Sequence, residues 1–171
     1  MNRRFMVFGL AAMALAACEP PKQVRLGPDG LPLPQVYRIS DADTATIQYR
    51  FLDAVNAMRQ TAGRGALQLN AQLNAAAATH SRDMAVQNRP WHFGSDGSSP
   101  LDRGRRVGYS GRIMGENISE TYETELQTLA SWLQKEDTRS VILDPTANEL
   151  GFDFFQERGG KIWWTMVTGR R

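Results

Sequence analysis

Apolar residues recur along this chain in two rhythms. Between Ser40 and Gly63 they fall three to four residues apart, at Ile47, Phe51, Val55 and Met58, which predicts a helix capped by Ser40 and stopped at Gly63. Asn70 predicts the cap of a second helix. Its inner face carries Leu73, Ala76, Ala77, His80 and Met84, so His80 lies on an apolar stripe. Ser99 followed by Pro100 opens a short third helix that stops near Gly108, and Leu126, Leu129, Ala130 and Leu133 mark a fourth. Later the rhythm shortens to two. Leu150, Phe152 and Phe154 alternate, as do Ile162, Trp164 and Met166, with Arg158, Gly159, Gly160 and Lys161 supplying turn chemistry between them. Residues 112–118 predict a third strand. Each element must bury its apolar face against another, so the expected class is α+β, a three-layer α-β-α sandwich with a small antiparallel sheet between helices. Adjacent rings at Phe154 and Phe155, and at Trp163 and Trp164, point to opposite faces of that sheet, which the two helical layers would cover.

The first residues obey a different logic. Arg3 and Arg4 precede an apolar run over 5–14, and Leu15, Ala16, Ala17 and Cys18 close it in the manner of a bacterial lipobox. About ten apolar residues fall well short of the roughly 20 that span a bilayer as a helix, so a removed leader over 1–17 is expected. Cys18 then becomes the first mature residue, with its sulfur carrying lipid of the palmitate class. It is the only cysteine, which leaves no thiol for a disulfide or a nucleophile. Several acyl chains anchor stably where one does not. Glu19, rather than aspartate, after the cysteine favours the outer membrane of a Gram-negative envelope, with the protein facing the periplasm. From 18 to 35 the chain is rich in proline and reads as a tether reaching roughly 50 Å at about 3.1 Å per residue, which leaves 36–171 as one domain.

The chain has 20 basic and 18 acidic residues among 171. Losing Arg3 and Arg4 with the leader removes the whole formal excess of +2, so charge gives no argument for nucleic acid as a partner. Arg103, Arg105, Arg106 and Arg112 are read as a solvated basic face, with anionic headgroups or cell-wall polymer as the alternative.

Six segments fall in a telling order: 70–85 with His80 inside; Trp91, His92, Phe93 and Gly94 to Gly97; Gly108 and Tyr109; Gly115, Glu116, Asn117 and Ile118; Trp132 with 139–143; and Glu149, Leu150, Gly151 and Phe152 ahead of Trp164 and Thr165. That order resembles the CAP superfamily, also called SCP or PR-1-like, in its bacterial secreted form. The resemblance implies the same sandwich, and a cleft shared by His92 and Glu116. In relatives these are half of a tetrad of two histidines and two glutamates that in some members holds zinc or another divalent ion. Here Lys135, beside Glu136, stands at the second glutamate position, and Thr138 stands at the second histidine position.

An ammonium repels a cation and a hydroxyl is a poor zinc ligand. A two-histidine site would require His80 to leave its core stripe and meet His92, and it is instead read as a satisfied core histidine. No cofactor is therefore expected. Zinc would have His92 and Glu116, with Glu136 or Asp137 as substitutes. HExxH is absent, and Gly108, Tyr109, Ser110 and Gly111 lack the spacing of a nucleophile elbow. The expected function is a non-catalytic, lipid-anchored binding module whose cleft is lined by His92, Glu116, Glu136 and Thr138. Its ligand would be an apolar small molecule such as a lipid, a cell-wall polymer or a protein partner. The alternative is a divalent-metal-dependent hydrolase or protease at His92 and Glu116. A bracing pair that only ties loop to sheet is the structural reading of the same two residues.

Overall fold

A computed structural model describes residues 37–171; the expected leader, the tether and Cys18 lie outside the described residues. Ser40 donates from its hydroxyl and its N–H to the Asp43 carboxylate, closing a 3₁₀ turn, Asp41–Asp43, that runs into helix α1, Thr44–Thr61. Asn70 caps α2, Ala71–Gln87, by accepting from the N–H groups of Gln72 and Leu73. Ser99 and Asp102 form a capping box at the start of α3, Pro100–Arg106. Helices α4, Glu125–Gln134, and α5, Glu136–Ile142, lie on either side of Lys135.

The sheet is built from β1, Gln68–Leu69; β2, Arg112–Thr121; β3, Glu149–Gln156; and β4, Ile162–Arg170, in the order β1-β3-β4-β2. The three expected strands pair antiparallel. The short β1, which no alternation marks, adds a parallel pair at the β3 edge and makes the sheet mixed. Helices α1, α4 and α5 cover one face around a core of Phe51, Trp132, Phe152 and Trp164. Phe51 stacks on Phe152 at 3.6 Å, and Phe152 lies parallel to Trp164 at 5.5 Å. Helix α2 packs on the other face through Leu73 and Ala77 against Val167, joined by Tyr109 after α3. Trp163 and Trp164 are both fully buried, so both faces are covered as the adjacent rings require.

Some helix residues depart from the sides that the apolar rows suggest. Met58 is 41 % exposed, and the inward row of α1 continues instead from Val55 to Arg59, at 0 % exposure. Leu126 faces solvent on α4. Among the described residues no carboxylate lies within bonding distance of Arg59; its guanidinium donates to the carbonyls of Gly65, Ile142, Asp144 and Ala147 at 2.7–3.1 Å. It therefore satisfies the carbonyl end of α5 and the loop after it. A lysine would keep the charge without the planar fork that reaches all four. Arg59→Lys is expected to cost about 2 kcal/mol, read as a lower urea midpoint at unchanged slope.

The outer edge of β3 beyond Leu150 has no partner strand among the described residues. Its N–H groups at Phe152 and Phe154 are taken by the side chains of Asn74 and Asp153.

Candidate functional site

The site grows from a turn-rich loop between α2 and α3. Three consecutive backbone carbonyls of that loop are held by side chains from the two helices. His80 Nε2 donates to Trp91 O at 3.0 Å, Arg103 Nη1 to His92 O at 3.1 Å, and Gln87 Nε2 to Phe93 O at 3.3 Å. With its carbonyls pinned inward, the loop displays His92 and Phe93 to solvent.

Glu116 rises from β2 beneath the loop with its side chain 2 % exposed. Arg103 Nη2 stands 2.5 Å from Oε2, and His92 Nδ1 stands 2.9 Å from Oε1. A carboxylate paired with arginine is acceptor-only, so the proton of the His92–Glu116 bond sits on Nδ1, and Nε2, across the ring, is directed away. His80 Nε2 lies 3.7 Å from the same Oε1. The expectation that a core stripe keeps the two histidines apart is thus corrected: His80 stays on the stripe, but the loop folds back over α2 and both imidazoles come to one carboxylate.

Arg103 is the residue that sequence reasoning misplaces. In α3 it is Leu101 that faces solvent while Arg103 and Gly104 are buried, an inversion that no periodicity signals. Its neighbours in the basic run are surface residues: Arg105 pairs with Asp102 and Arg106 with Asp96. Because Asp96 is engaged by Arg106 and by the N–H of Ser98, it does not orient His92.

Glu136 and Thr138 do not join this cluster by any hydrogen bond or ion pair. Thr138 Oγ1 donates to Trp132 O at 2.6 Å, closing the end of α4, and its carbonyl accepts from Asn117 at 2.8 Å. Glu136 pairs with Arg139 and lines a separate hollow of about 450 Å³ with Arg64 and Met114.

These residues do not fit a zinc ion. Both Glu116 oxygens already accept, and a divalent ion on either would sit a few ångströms from the Arg103 guanidinium, a repulsion of several kcal/mol even at an effective dielectric of about 20. Thr138 has turned its hydroxyl to a carbonyl, which leaves His92 Nε2 as the single nitrogen donor facing out.

Burial holds the His80 pKa below its ordinary value; Glu116 opposes that shift, and Arg103 adds to it. The unfolded chain takes up this proton below about pH 6.5 while the folded chain resists it, so the stability linked to His80 is complete above that pH. It falls as the pH drops toward the folded-state value, by up to about 1.4 kcal/mol per unit. Urea midpoints at pH 7.5 and 5.5 are expected to separate, and to converge in His80→Gln.

A family model described as CAP, cysteine-rich secretory protein family, matches residues 52–168. A Bacillus subtilis protein described as uncharacterized protein YkwD is 27% identical over 129 residues, 75% of this chain and 49% of that protein. Among solved structures, an extracellular protein containing a SCP domain from Bacillus anthracis aligns at TM-score 0.70 and 21% identity, over 79% of this chain and 45% of that one. An outer surface protein from Borrelia burgdorferi aligns at TM-score 0.69 and 12% identity, over 80% of this chain and 99% of that one. The chain spans about half the length of the two Bacillus proteins, and at these identities the solved structures show the shared fold. Among the described residues no helix is long and apolar enough to cross a membrane.

Proposed function

This chain belongs to the cysteine-rich secretory protein family, and from that premise we propose that it is a non-catalytic binding module of a bacterial envelope. Lipid on Cys18 anchors it, most simply to the outer membrane facing the periplasm, and its ligand rests on the loop of Trp91, His92 and Phe93. That ligand is an apolar small molecule, a cell-wall polymer or a protein partner. The extracellular and surface descriptions of the Bacillus anthracis and Borrelia proteins support the compartment.

One observation carries the reading: both carboxylate oxygens of Glu116 are engaged, one by Arg103 and one by His92. A carboxylate so held orients an imidazole and a loop, and neither a free general base nor an open metal ligand remains on it. The metal-dependent hydrolase has one feature in its favour, the outward Nε2 of a carboxylate-oriented histidine. It also requires zinc to displace Arg103.

Native mass spectrometry of exported Cys18→Ser protein, purified without chelator, separates the two. The expected spectrum carries a ligand-sized addition that is lost in His92→Ala, with a melting temperature moved by less than about 2 °C. A zinc-sized addition lost in that variant, with zinc-dependent turnover, overturns the binding module. Cys18→Ser is also expected to move the protein from the membrane to the soluble fraction; retention on the membrane removes the lipid anchor from the proposal.

A further inference from the structure

The loop of Trp91, His92 and Phe93 is held through its side chains as well as through its carbonyls. Gln87 accepts the Trp91 indole N–H at 2.7 Å while donating to Phe93 O and to Asp83 at 2.9 Å. The Arg89 guanidinium stacks on the Trp91 ring at 3.9 Å. The Phe93 ring, 48 % exposed, lies 5.6 Å from Trp91 at 58°. An indole fixed by an amide and a guanidinium, beside an exposed phenyl ring, is a rigid platform. Its surroundings are polar: Arg89, Gln87 and the outward His92 Nε2 interleave with the two rings.

Resting on the binding reading above, we infer that this platform binds a neutral glycan, a β-linked pyranose chain of the kind found in cell walls. The positive C–H face of a pyranose meets the negative π face of a ring, while its equatorial hydroxyls need acceptors and donors at the rim. His92 Nε2 accepts one hydroxyl, and Arg89 donates to another. The charges beneath the loop, Arg103 and Glu116, neutralise each other, which suits an uncharged ligand. A lipid tail would need apolar walls around the rings, and here a guanidinium and an amide occupy those positions. His92 and Phe93 are both exposed, so a polymer can reach the loop from solvent.

The test uses the lipid-free Cys18→Ser chain with two probes, a soluble β-linked N-acetylglucosamine tetramer and purified glycan sacculi. Titration by tryptophan fluorescence and calorimetry is expected to give saturable binding. The tetramer affinity should fall at least tenfold in Trp91→Ala and in His92→Ala, with sacculus pull-down lost in step and thermal unfolding unchanged. Phe93→Ala, which removes an exposed ring, gives a second reading if Trp91→Ala folds poorly, with a severalfold loss expected. Binding that survives Trp91→Ala and Phe93→Ala overturns the inference. If both glycan probes are ignored while an addition of lipid or peptide mass is retained and lost in His92→Ala, the glycan falls and the binding module stands. If neither probe binds and no addition is retained, both fall.

Discussion

Gly151→Ala is expected to lower the melting temperature by about 10 °C or more, the equivalent of at least about 3 kcal/mol. A methyl group at this position of β3 would lie well under 3.0 Å from both the carbonyl carbon and the carbonyl oxygen of Leu73. Those are backbone atoms of α2 in its first turn, where Asn70 caps the helix, so no side-chain rotation relieves the clash. Helix α2 would have to lift from the sheet, and it carries His80 and Gln87, two of the three side chains that pin the loop. Thermal unfolding monitored by circular dichroism checks the effect. A variant that melts within about 2–3 °C of the parent would mean that α2 can shift at little cost, and with it the packing that places the loop.

Arg103→Met is expected to cost about 3–5 kcal/mol, the usual penalty when one partner of a buried ion pair is removed and the other stays. Glu116 would be left without its guanidinium partner in a setting where its side chain is 2 % exposed, and the His92 and Ser98 carbonyls would lose their donor as well. Adding Glu116→Gln to Arg103→Met removes the stranded charge, so the double variant should be more stable than Arg103→Met alone. The difference measures the coupling of the pair in a double-mutant cycle. Additive effects in that cycle would show that the two residues act independently and that the carboxylate is not fixed by the arginine.

Much of the fold is legible in the sequence because it rests on repetition. The alternating rows of β3 and β4, and the i, i+4 row from Ile47 to Val55, each repeat a signal several times, and the caps at Asn70 and Ser99 mark their helices by side-chain chemistry. Single events escape such reading. Two residues suffice for β1, and α5 offers only Val141 and Ile142 as apolar marks. Arg59 and Arg103 are buried for the carbonyls they satisfy, and those carbonyls lie 6 to 88 residues away in sequence for Arg59, so a local pattern says only that a charge interrupts an apolar row. The site divides in the same way. The pairing of His92 with Glu116 is legible through family resemblance, whereas the approach of His80 depends on a loop folding back, which no spacing records. Position alone assigns Glu136 and Thr138 to the cleft. Each has a nearer partner, Arg139 for the carboxylate and the end of α4 for the hydroxyl.

The strand order β1-β3-β4-β2 also constrains how the protein is made. Both long partners of β4 precede it in the chain, and β2 and β3 do not pair with each other. A nascent chain leaving the ribosome therefore has only the two-residue β1–β3 ladder until residues 162–170 have emerged, and β2 must then find a strand some fifty positions downstream. Everything up to the end of β3 waits on β4, available meanwhile to chaperones or to a translocation channel that admits only unfolded polypeptide, and a product truncated before β4 loses both antiparallel pairs of the sheet.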